Sequence, residues 1–70
     1  MVSKKRIKEL ELETLQDLFD YIVLSRINGQ WKQVRSLIAE LSKDQKKAAL
    51  NYYGNGPDES DVVKIIALSL

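Results

Sequence analysis

Apolar side chains recur at Ile7, Leu10, Leu15, Leu18 and the adjacent pair Tyr21-Ile22, three to five residues apart. Recurrence near the helical period marks one face of a helix, so the spacing predicts a long first helix over residues 4–28. Ser3 is placed to accept from the first free amides. Asn28-Gly29 is placed to end the helix, because both residues tolerate left-handed backbone. The same stretch carries a second apolar row, Leu12, Phe19, Val23 and Ile27, which lies well away from the first at about 100° per residue. Glu9, Glu13, Asp17 and Asp20 form an acidic stripe between the rows. A helix that is apolar on two faces must be covered on two sides, either by the rest of the chain or by a second copy of it.

Trp31, Val34, Leu37, Ile38 and Leu41 give the cleanest amphipathic pattern, a second helix over 30–41. Ser42-Lys43-Asp44-Gln45 then matches the S/T-x-x-E/Q capping box, so a third helix should run from about Lys43 to Tyr53 after a sharp change of direction. Gly54-Asn55-Gly56-Pro57 ends it. Gly54 is expected in the left-handed region, Asn55-Gly56 continues the turn, and Asp58 or Ser60 is placed to cap the next segment. The tail Val62-Val63-Lys64-Ile65-Ile66-Ala67-Leu68-Ser69-Leu70 has strand-like composition. No second strand is visible to satisfy its backbone, so it reads as a fourth helix.

The pattern predicts an all-α chain, a small helical bundle of three to four helices with a long first helix, dimeric through its surplus apolar surface. Residues 1–70 form one helical domain, with residues 1–4 a flexible basic N-terminus. The expected core is Ile7, Leu10, Leu15, Leu18, Ile22, Trp31, Val34, Leu37, Ile38, Leu41, Leu50, Val62 and Ile66.

Composition narrows the chemistry. The 70 residues include no Cys and no His, which removes disulfides, thiolate metal sites, the commonest general base and the best thiol nucleophile. No Gly-rich phosphate loop follows a strand. The expectation is a non-enzymatic protein with no cofactor, no metal and no small-molecule substrate. No apolar run reaches the roughly 20 residues that span a bilayer. The basic N-terminus turns acidic at Glu9, Glu11 and Glu13 where a signal peptide would be apolar. A soluble, cytoplasmic chain without a membrane partner is therefore expected.

Two recognition surfaces stand out. The first is the second apolar row, Leu12, Phe19, Val23 and Ile27, as an interface for self-association as a homodimer, for another protein, or for both. It makes the chain a small regulatory interaction module, and its size and helical density resemble those of accessory proteins of phages, plasmids and bacteria. The alternative is a DNA- or RNA-binding regulator using the third helix, with Lys43, Gln45, Lys46, Lys47 and Asn51, and a basic N-terminal arm of Lys4, Lys5, Arg6 and Lys8. Eleven basic against ten acidic side chains leave a net charge of +1, so nucleic-acid binding has to rest on local clustering. Tyr53-Gly54-Asn55-Gly56 resembles the YGNGV motif of pediocin-like bacteriocins. That family continues with valine and cysteine and depends on a disulfide. Here Pro57 comes next and the chain has no cysteine, so the resemblance ends at four residues.

Overall fold

The computed structural model describes residues 1–54 and 56–70. Among them every regular element is helical: α1 (Lys4–Glu9), α2 (Leu15–Ile27), α3 (Trp31–Glu40), α4 (Lys43–Tyr53), a short 3-10 turn (Pro57–Glu59) and α5 (Ser60–Leu68). The all-α expectation is met, and the tail is helix rather than strand. The roles expected of Asn55 and of the Asp58 side chain lie outside the described residues.

The long first helix is corrected. Residues 4–28 form two helices, because two caps stop the chain between them. Leu12 N–H bonds back to Ile7 C=O at 3.0 Å and Glu11 N–H to Lys8 C=O at 2.9 Å, while Glu11 takes φ 62°. This is a Schellman closure with glutamate where glycine is usual. Thr14 then opens α2 from extended backbone, accepting from Asp17 N–H, while the Asp17 carboxylate accepts from Thr14 N–H. That reciprocal pair satisfies amides that a continuous helix would have bonded internally. One trace of the break is visible in the apolar spacing. Leu10 to Leu15 is the single five-residue gap in the row, and it falls on the break.

A left-handed L-residue costs about 1–2 kcal/mol, part of which a glycine returns through its freedom in the unfolded chain. Glu11→Gly should therefore stabilise the protein by up to about 1 kcal/mol. Thermal denaturation checks it: the midpoint should rise by several degrees, and a fall would mean that the Glu11 side chain supports the turn.

The other expected boundaries hold. Ser3 caps α1, accepting from Arg6 N–H. Gly29, at φ 74°, comes just past the end of α2. Ser42 and Gln45 form the anticipated capping box of α4. Gly54 ends α4 with the positive φ expected of it, 59°, but its ψ of −135° places it in the mirror image of the extended region rather than in the left-handed helical one. The start of α5 differs from expectation. Its N-cap position is Glu59 with no side-chain cap, and the Ser60 hydroxyl instead donates to Pro57 C=O. The preceding 3-10 turn, opened by Pro57, turns the chain before α5 begins.

α2 lies at the centre, packed against α3, α4 and α5, with α4 and α5 packed against each other. The buried core is Val2, Ile7, Leu18, Phe19, Ile22, Val34, Leu37, Ile38, Leu41, Ala49, Tyr53, Val62 and Ile66. Leu10, Leu15, Trp31 and Leu50, expected inside, sit at its edge, half-buried. Val2, Phe19, Ala49 and Tyr53 were not expected in it.

Polar ties help to fix the helices relative to one another. Arg6 grips Glu40 with two bonds, Nε to Oε1 at 2.8 Å and Nη2 to Oε2 at 3.1 Å, joining α1 to the end of α3. Gln45 completes the α4 cap by accepting from Ser42 N–H. The same side chain accepts from Val2 N–H at 2.9 Å and donates to Val2 C=O at 2.8 Å. Arg26 donates to Asp61 at 2.7 Å, joining the end of α2 to the start of α5.

Candidate functional site

The expected interface row is divided by the fold. Phe19 is fully buried. Its ring meets Tyr52 and Tyr53 with centroids 5.6 and 5.9 Å away, and the Tyr53 hydroxyl donates to Phe19 C=O at 2.7 Å. Burial, above all, holds the Tyr53 phenol well above its ordinary pKa, so it stays neutral and keeps donating. Leu12 and Val23 are half-buried against the core. Ile27 is 59 % exposed and Leu24, three residues earlier on the same side of α2, is 51 % exposed. A separate apolar spot lies at the C-terminal end of α5, where Leu68 is 80 % and Leu70 49 % exposed.

The five residues of the nucleic-acid reading also separate by role. Gln45 is consumed by the cap and by Val2. Lys46 donates to Ser69 C=O at 3.1 Å, where it satisfies a carbonyl just past the end of α5. Lys43, Lys47 and Asn51 are exposed at i, i+4 and i+8, one row along the solvent side of α4. The arm is divided in the same way. Arg6 is engaged by Glu40, whereas Lys4, Lys5 and Lys8 are exposed.

The acidic stripe does not survive the break between α1 and α2. Asp17 turns back to accept from Glu13 and Thr14 N–H, and those bonds hold its carboxyl below the usual range. Asp20 accepts from the Tyr52 hydroxyl at 2.9 Å. Glu9 closes α1 and Glu13 lies in the connection. Among the described residues no three such groups gather where they could hold a metal ion, and no helix is long and apolar enough to cross a membrane.

Sequence reasoning missed one buried polar network. Ser25, only 1 % exposed, donates to Tyr21 C=O at 2.9 Å, and Gln33 Nε2 donates to both the Ser25 and Tyr21 hydroxyls at 2.9 and 2.8 Å. It joins α2 to α3 with the buried hydroxyl satisfied. The signal available was a serine among the apolar residues of α2, facing a glutamine on α3.

Two clefts flank α1. One, about 560 Å³, lies between α1, α2 and α3 with the Arg6–Glu40 pair and Tyr21 in its lining. The other, about 540 Å³, brings Lys4, Ile7 and Lys8 of α1 together with Thr14, Leu15 and Gln45. Comparison of the chain with protein-family models, curated proteins and solved structures finds no match.

Proposed function

We propose that this protein is a small non-enzymatic interaction module that self-associates as a homodimer through the outer side of α2, with Leu24 and Ile27 at the centre of the contact and Val23 at its edge. One observation carries the reading. α2 packs against three other helices, yet two of its large aliphatic side chains remain more than half exposed on one side. A helix covered on three sides and still apolar on the fourth has a surface suited to a further partner. A two-fold contact uses the same patch from each copy, so two side chains become four.

Magnitudes set the affinity range. Full burial of a Leu or Ile contributes about 1.5–3 kcal/mol, and these are already partly covered, whereas association costs roughly 4–15 kcal/mol. The contact is therefore weak and concentration-dependent, with a Kd in the micromolar range or above.

Sedimentation across a concentration series tests it. The parent should shift from monomer to dimer with rising concentration. Leu24→Asn with Ile27→Asn should lower the thermal midpoint only modestly, because both side chains are more than half exposed, and should keep the protein monomeric. A parent that stays monomeric up to about 1 mM, the weak end of specific affinities, would remove the dimer.

A further inference from the structure

The cleft between α1, α2 and α3 combines an apolar wall with polar groups whose bonding is incomplete. Leu10 and Leu37 supply the apolar part of its lining. Tyr21 and Gln33 also line it, and their hydrogen bond fixes what each still offers. Gln33 spends both amide hydrogens, on the Tyr21 and Ser25 hydroxyls. The Ser25 hydroxyl spends its own on Tyr21 C=O. The Tyr21 hydroxyl is therefore an acceptor inside this network, and its proton has no acceptor among the described residues. A phenol in that state is a donor in want of an acceptor.

The charges in the lining are unequal. Arg6 commits Nε and Nη2 to the two oxygens of Glu40, so that pair is neutral and leaves Nη1 without a partner among the described residues. Lys32 is exposed and in no ion pair among them. Two cations, Arg6 and Lys32, thus face one carboxylate, Glu40, with one positive charge in excess. Glu9, one turn along α1 from Arg6, is exposed and outside the lining. The volume, about 560 Å³, falls in the range of small-molecule sites.

We propose that this cleft binds a small amphiphilic carboxylate, its head on the Tyr21 hydroxyl and Lys32 and its apolar body against Leu10 and Leu37. A hydrogen bond from a neutral donor to a carboxylate is charge-assisted. One negative charge matches the one surplus cation, which favours a monoanion over a phosphate dianion. The cleft is open, with Gln30, Lys32 and Ser36 exposed along it, so binding is weak and needs both head and body. Its lining includes neither Leu24 nor Ile27, so this site and self-association stand or fall separately.

Trp31, the one tryptophan of the chain, stands in sequence between Gln30 and Lys32 of the lining, and its fluorescence serves as the reporter. Titration at neutral pH with hexanoate, hexanamide, hexylammonium and acetate separates head from body. Hexanoate should bind best. Hexanamide should be roughly ten-fold weaker for want of charge, and hexylammonium weaker again. Acetate should also be weaker, because each buried methylene adds up to about four-fold. In amide-resolved NMR, hexanoate should move Lys32, Gln33 and Leu37 and leave Leu24 and Ile27 in place. Lys32→Gln should weaken hexanoate several-fold and hexanamide little. Lys64→Gln removes the same charge from α5 and should change neither. Tyr21→Phe should shrink the preference for hexanoate over hexanamide; if that variant melts early, the comparison of Lys32→Gln with Lys64→Gln decides alone. Equal binding of hexanoate, hexanamide and hexylammonium would overturn the proposal. Equal effects of the two lysine variants, or no response of the parent to hexanoate up to about 10 mM, would do the same.

Discussion

Phe19→Ala should remove about a third or more of this protein's stability. The ring is fully buried at the junction of α2 and α4, in contact with Tyr52 and Tyr53. Phe→Ala in a core typically costs about 3–5 kcal/mol, from lost burial and from the cavity left behind. Stability of roughly 0.05–0.15 kcal/mol per residue gives a 70-residue chain about 4–10 kcal/mol in total. The loss runs from about a third of that total to all of it. It also removes the packing that holds the Tyr53 hydroxyl on Phe19 C=O, so the buried phenol loses its fixed partner as well. Circular dichroism with a urea titration should show a transition shifted to much lower denaturant, or none. The result separates two placements of the residue. If Phe19 served only an interface, the variant would fold like the parent and lose self-association alone. A native-like midpoint with lost assembly would therefore contradict the core placement.

Gly54→Val should be the next most damaging change. Gly54 has φ 59° and ψ −135°, close to a backbone region that is nearly restricted to glycine, and such strained residues cost about 1–3 kcal/mol each. A β-branched side chain belongs at the upper end of that range. A Cβ at this position would meet nothing within 4 Å beyond its chain neighbours, so for alanine the cost is conformational. That makes a sharp control available in a synthetic chain. D-Alanine prefers the mirror image of the extended region, which is where Gly54 lies. It should match or exceed the parent in thermal midpoint while Gly54→Val and Gly54→Ala fall below it. Equal melting of the Val variant and the parent would mean that the corner between α4 and α5 does not depend on this conformation.

Much of the helical framework was legible because local signals and periodicity agreed. Ser3, Gly29, Ser42 with Gln45, and Gly54 each act within a few residues of themselves, and each does in the structure what its chemistry requires. The amphipathic face of α3 buried Val34, Leu37 and Ile38 as its spacing required. The break after α1 was hard to read because its stop signal is a glutamate at φ 62°, a residue with no preference for that region. Thr14 with Asp17 is a weaker written form of the capping box than Ser42 with Gln45, since aspartate stands where Glu or Gln is expected. Once the helix breaks, an angular argument that carries phase from Glu9 to Asp20 or from Leu12 to Phe19 no longer holds. The break accounts for the loss of the acidic stripe and of Leu12 from the second apolar row, whereas Phe19, Val23 and Ile27 stay in phase on α2 and are divided by the tyrosines of α4, which cover Phe19 alone.

The candidate surfaces depended still more on tertiary contacts. Periodicity showed that α2 is apolar on more than one side, but not which side α4 would take. Tyr52 and Tyr53 cover Phe19 and leave Leu24 and Ile27 outside. Composition showed lysines on two segments. Only the docking of Val2 on Gln45 ties the start of α1 to the first turn of α4, and only the contact with Ser69 takes Lys46 out of the free set. The helical class, most of the helix ends and most of the core were therefore written in the order of residues alone, because caps, turns and amphipathic spacing act over a few positions. Which apolar and basic side chains remain outside was settled by long-range packing, because exposure depends on neighbours that are twenty or more residues away along the chain.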